Sequence, residues 1–189
     1  MFLIEDDTII KKEDVFKYYI DTAENFNLEH LVFGYGSSGN KPNEFKEEIV
    51  TPHTIIKKGD FMIDFYHHLQ GAFTYYTRNI IEKVGLFDDI HYINALEHVE
   101  HTYRICMNGA YSPFWAFGDA HESINYLGWL HEDEKYDTTI KQDNELYRQR
   151  LMNGFNHFRK VYNRNISEIP LPSKQEIQQY IIERTNYGK

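Results

Sequence analysis

An α/β fold is what this sequence predicts, and three observations carry it. The run Met1–Ile4 has the character of a buried strand and ends abruptly in the acids Glu5, Asp6 and Asp7. Extended segments then alternate with helical ones through about residue 130, and residues 131–189 form a helical appendage expected to pack on that first part.

Taken in order, Val15, Phe16, Tyr19, Ile20 and Ala23 recur at helical spacing through Lys12–Asn25. His30–Phe33 reads as a strand and Gly34–Pro42 as a loop, without the Gly-Lys-Ser/Thr ending of a phosphate loop. Glu48–Thr51, Thr54–Lys57 and Phe61–Tyr66 read as short strands separated by Pro52 and Gly59-Asp60. Gly71–Tyr76 extends a further strand, and Thr77 caps a helix over Arg78–Val84 that stops at Gly85. Leu96–Met107 is the next helix, ended by Asn108-Gly109. Pro113–Phe117 reads as an aromatic strand, Gly118–Ser123 as a polar turn, and Thr138–Arg164 as one long helix buried along Leu146, Leu151, Phe155, Phe158 and Tyr162. Ser173–Glu176 has the form of a capping box opening a last helix. The Leu146–Tyr162 pattern is no sustained heptad, which argues against a coiled-coil assembly protein.

Composition narrows the chemistry. A net charge of −9, with no Lys/Arg block longer than a pair, argues against a nucleic-acid partner. Cys106 is the only cysteine, so no intrachain disulfide forms. No apolar run approaches the ~20 residues that span a bilayer, so a cytoplasmic protein without a transmembrane segment is expected, at most peripheral to the inner membrane face.

The acidic tip is the first candidate site. Adjacent carboxylates raise each other's pKa and repel, and a hard cation such as Mg²⁺ or Mn²⁺ relieves that. The alternative is an Asp-rich turn that caps the following helix. The second candidate is one face of the Leu96–Met107 helix, where Glu97, Glu100, His101 and Arg104 cluster. Glu97 with His101 and Glu100 with Arg104 stand at i,i+4, so this face also reads as a solvated, salt-bridged surface. His98 and His101 lack a third Cys or His at zinc-ligand spacing.

The order of the acidic tip, Gly71–Arg78, Ile80–Asp88 and Asn94–Arg104 resembles the second half of a family 2, GT-A-type glycosyltransferase, over roughly residues 1–130. The resemblance implies a mixed sheet flanked by helices, lacking most of the N-terminal nucleotide-binding half. It implies Mn²⁺ or Mg²⁺ on the acidic motif, with Asp7 as direct ligand, Glu5 beside it facing the nucleotide, and His121 where some relatives place a histidine reaching metal or phosphate. Read without the resemblance, His121 is an ordinary surface histidine. Glu97 aligns with the catalytic base, and His98 stands where the family usually has a second acid. Gly71, Ala72 and Asp88 fall in segments that line the acceptor side, and Glu100, His101 and Arg104 extend the substrate-facing helix.

The expected function is metal-dependent inverting transfer from a nucleotide sugar, a UDP-sugar first among them, to a glycan acceptor, as in surface polysaccharide synthesis. Because the resemblance begins at the acidic motif, the chain is expected to be part of a longer enzyme, to associate with itself, or to meet a partner supplying the other half. The rival expectation is a truncated, non-catalytic module that binds carbohydrate or a partner.

Overall fold

The computed structural model describes residues 1–6, 8–33, 52–67, 71–93, 95–108, 117–129 and 144–186. Asp7, the loop 34–42, the expected strand 48–51, most of the expected strand 113–117 and the start of the long helix at 138–143 lie outside the described residues.

The chain is mixed α/β, with five α-helices and eight strands among the described residues. The strands form three small sheets whose pairings are all antiparallel, in place of the single mixed sheet expected. In the first sheet β6 (Phe73–Tyr76) lies between β1 (Phe2–Ile4) and β3 (His30–Val32), with Ile4 opposite Phe73 and Val32 opposite Thr74. In the second, β5 (Phe61–Tyr66) lies between β4 (Thr54–Lys58) and β7 (Phe117–Ala120). The third pairs β2 (Thr8–Ile10) with β8 (Leu127–Trp129), Ile9 facing Gly128.

Helix α1 (Val15–Phe26) buries Val15, Tyr19, Thr22, Ala23 and Phe26, one stripe at helical spacing. It ends at Asn27, whose left-handed conformation (φ 53°) turns its N–H back onto the Ala23 and Glu24 carbonyls. Rings and aliphatic chains from this stripe, both larger sheets and Ile80 form the main core, and Ile177 and Ile181 of α5 (Lys174–Asn186) enter the same core. A second cluster joins Tyr92, Tyr103, Phe117 and Ile169 to Phe158 of α4 (Asn144–Tyr162).

The turn chemistry that punctuates the sequence operates as expected. The Thr77 side chain accepts from Ile80 N–H to cap α2 (Arg78–Val84), which stops at Gly85. Ser173 N–H donates to Glu176 Oε2, and Glu176 N–H donates back to Ser173 Oγ, which closes the capping box. The seam of α4 differs from the expected one. Leu146 and Phe155 are exposed, whereas Phe158 is fully buried and Gly154 lets the helix approach Leu96 and Tyr92 closely.

Candidate functional site

Helix α3 (Glu97–Met107) carries most of the polar side chains singled out by sequence, and the fold sorts them into two groups. Its first two residues, Glu97 and His98, meet the acidic tip after β1. His98 Nε2 lies 2.7 Å from Glu5 Oε1 and 3.8 Å from Glu97 Oε1. One ligand-capable atom from each of Glu5, Glu97 and His98 lies within 4.8 Å of the others.

Local geometry explains the meeting. Glu5 N–H donates to the Ala72 carbonyl at 2.8 Å, and Thr8 Oγ1 donates to the same oxygen at 2.8 Å, so the tip is clamped on both sides to the entry of β6. Gly71, one residue earlier, has the His98 imidazole against its Cα, and a Cβ there would overlap the ring. Gly71 and Ala72 therefore act through backbone and through absence of bulk. Phe87 stacks edge-on against His98, with ring centroids 5.1 Å apart, and fixes the imidazole from another side.

Leu96, which leads into the cluster, has φ 68°, a left-handed conformation that costs a bulky residue roughly 1–3 kcal/mol. It offers no side-chain cap, so the first turn of α3 presents free N–H groups and the positive end of its dipole where carboxylates gather.

Two atoms of this cluster lack partners. Glu97 Oε2 and His98 Nδ1 are buried and accept or donate no hydrogen bond among the described residues. Two carboxylates around one imidazole, with an unsatisfied oxygen, are a donor set that fits a divalent cation.

The remaining residues of α3 turn inward. His101 is buried and donates from Nε2 to the Gly85 carbonyl at 2.9 Å, and this burial pulls its pKa down to about 4. Arg104 donates to the Val84 and Leu86 carbonyls at 2.7 and 2.8 Å, closing the end of α2. It also pairs with Glu100 at 2.7 Å. Glu100, itself buried, accepts a hydrogen bond from the Tyr162 hydroxyl of α4. The face read as a solvated ion-pair surface is thus a packed junction of α2, α3 and α4, and the expected Glu97–His101 pair gives way to the His101–Gly85 bond.

His121 stands apart from the Glu5 cluster. Its Nδ1 lies 2.7 Å from Asp64 Oδ1. Asp64 faces Asp119 across β5–β7, and the fully buried Asp119 accepts from the Tyr19 and Ser123 hydroxyls. Burial raises the Asp64 pKa above the ordinary carboxylate value, partly offset by the hydrogen bond from His121. Sequence reasoning overlooked this buried carboxylate pair, because Gly118-Asp119 reads as a turn; the alternation Ile63–Phe65 on the partner strand was the available signal.

Asp88 accepts from the backbone N–H groups of Ile90 and His91 at 3.2 and 3.1 Å, organising the turn after Phe87. It lies in a second group of donors, with His91 and His157, distinct from the first. Neither histidine drew attention in the sequence, although Asp88 and His91 at i,i+3 were visible there.

No helix among the described residues is long and apolar enough to cross a membrane. Comparison with protein-family models, with curated proteins and with solved structures found no match to this chain.

Proposed function

We propose that this chain is the metal- and acceptor-side portion of a GT-A-type inverting glycosyltransferase, using a nucleotide sugar as donor and a glycan hydroxyl as acceptor. The observation that carries the reading is the convergence of Glu5, at the acidic tip, with Glu97 and His98, at the head of α3, from opposite ends of the motif order.

In this reading Glu97 accepts the proton of the acceptor hydroxyl as its oxygen attacks the anomeric carbon and the bond to the nucleoside diphosphate breaks, with inversion. The Glu97 side chain is 28% exposed, which leaves its carboxylate open to the acceptor. Glu5, with Asp7 beside it in sequence, holds the cation. His98 orients Glu5 through the 2.7 Å contact, and Gly71 leaves the room His98 needs. Mn²⁺ or Mg²⁺, when bound, offsets the charge that develops on the departing diphosphate. Glu100, His101 and Arg104 act one layer behind, fixing α3 against α2 and α4, and do not touch substrate.

The test is calorimetry of the chain with UDP- and GDP-sugars, with and without Mn²⁺. Binding that requires Mn²⁺ and weakens at least tenfold in Glu5→Gln supports the reading. Titrations identical with and without metal would overturn it.

A further inference from the structure

A second donor cluster lies between the turn 88–93 and helix α4. His91 Nδ1 is 2.8 Å from Asp88 Oδ2, and His157 Nε2 is 3.9 Å from the same oxygen. The two imidazoles stack face to face, with centroids 3.7 Å apart and planes 11° from parallel.

We propose that Asp88, His91 and His157 form a binding site for a borderline transition-metal ion, Zn²⁺ foremost, separate from the Glu5 cluster. A tetrahedral ion with bonds of about 2.0–2.2 Å separates its donor atoms by about 3.3 Å. The observed 2.8 and 3.9 Å straddle that value, and one donor atom from each residue lies within 4.8 Å of the others; an ion sits in the plane of each imidazole it binds, so the two rings turn out of their parallel stack to share it. Two imidazoles and one carboxylate match zinc rather than Mg²⁺ or Ca²⁺, which take oxygen ligands.

The supporting shell is already present. Asp88 Oδ1 is held by the Ile90 and His91 N–H groups, which leaves Oδ2 for the ion. His157 rests edge-on against the buried Tyr92 ring, which limits its rotation. Both imidazoles line an open cleft of about 430 Å³, which provides an entry path. Arg150, Asn153, Asn156 and Lys160 line its α4 wall, so an anionic or water ligand completing the coordination from the cleft meets complementary charge. An ion here ties α4 to the turn that leads into α3, two segments that otherwise meet mainly through the Tyr92–Phe158 cluster.

The experiment uses the full chain stripped of metal by a chelator and dialysed, in the Glu5→Gln/Glu97→Gln background so that the first cluster contributes nothing. Zn²⁺ is titrated calorimetrically, and Co²⁺ serves as a spectroscopic probe of coordination. The expected result is one equivalent of Zn²⁺, a Co²⁺ spectrum of tetrahedral type and a rise in melting temperature on adding Zn²⁺. His91→Gln and His157→Gln should each weaken Zn²⁺ more than tenfold and erase that rise, while melting in chelator stays within a few degrees of the parent. The absence of Zn²⁺ binding, or equal affinity in the His91→Gln/His157→Gln double variant, would overturn the proposal.

Discussion

Glu5 and His98, 93 positions apart in the chain, lie side by side with Oε1 and Nε2 separated by 2.7 Å. The contact depends on a residue that contributes no side chain. Gly71 borders the imidazole so closely that an added methyl would overlap it. Gly71→Ala should therefore swing His98 away from Glu5 and lower Mn²⁺ affinity at least tenfold, with an overpacking cost of roughly 1–3 kcal/mol in stability. Mn²⁺ titration alongside urea unfolding checks both effects. Unchanged Mn²⁺ affinity in a folded variant would remove His98 from the cation's surroundings.

Glu97 has the chemistry either to take a proton or to hold a cation, and one substitution separates the two. If it is the base, Glu97→Gln abolishes transfer while leaving Mn²⁺-dependent nucleotide-sugar binding within about threefold of the parent, since an amide keeps the shape but not the basicity. Joint loss of turnover and metal dependence would instead assign it as a ligand.

The same helix shows where sequence reading succeeds and where it stops. Thr77 and Gly85 bracket α2 eight positions apart, and Ser173 and Glu176 open α5 three apart, so their capping was legible from spacing alone. The meeting of the acidic tip with the head of α3 was expected from motif order. The burial of Glu100 and His101 was not, because their partners Tyr162 and Gly85 come from other helices and charge spacing on one helix cannot show what covers it. Strands β2 and β8 escaped for a similar reason: three residues each carry little periodicity, and their pairing, Thr8 with Trp129, is decided by tertiary contact. β7 was read as a turn because Asp119 looks like a surface acid until the Tyr19 and Ser123 hydroxyls are seen to satisfy it.

Tyr162 fastens α4 to the body through a buried charge. Its hydroxyl donates to Glu100, and burial followed by this hydrogen bond pushes the phenol pKa well above its ordinary value, so the donor stays protonated. Tyr162→Phe leaves one oxygen of a buried carboxylate short of a donor, and should cost about 1–3 kcal/mol in urea unfolding. A Tyr162→Phe midpoint equal to the parent's would mean that Arg104, 2.7 Å from the same oxygen, holds the buried charge without the hydroxyl.

Two buried histidines set the acid limit of the fold. His30 is fully buried, with Nδ1 2.9 Å from the Tyr75 carbonyl and Nε2 3.0 Å from the Thr102 hydroxyl. The carbonyl only accepts, so Nδ1 carries the proton and Nε2 accepts from Thr102. Desolvation pulls the pKa of His30 down to about 3 and that of His101 to about 4, from an ordinary 6.5. Below pH 6.5 the unfolded chain binds protons that the folded imidazoles refuse, so stability is full above that pH and falls as pH drops toward the folded values. Each group contributes a slope of up to about 1.4 kcal/mol per pH unit in that window. The raised pKa of Asp64 acts in the opposite sense, favouring the fold as pH falls through its own range above 3.8, and softens the lower end of the decline. Urea midpoints should stay level from about pH 8 to about pH 7 and fall clearly by about pH 5. A midpoint unchanged across that interval would mean that these two imidazoles accept protons inside the fold as readily as outside it.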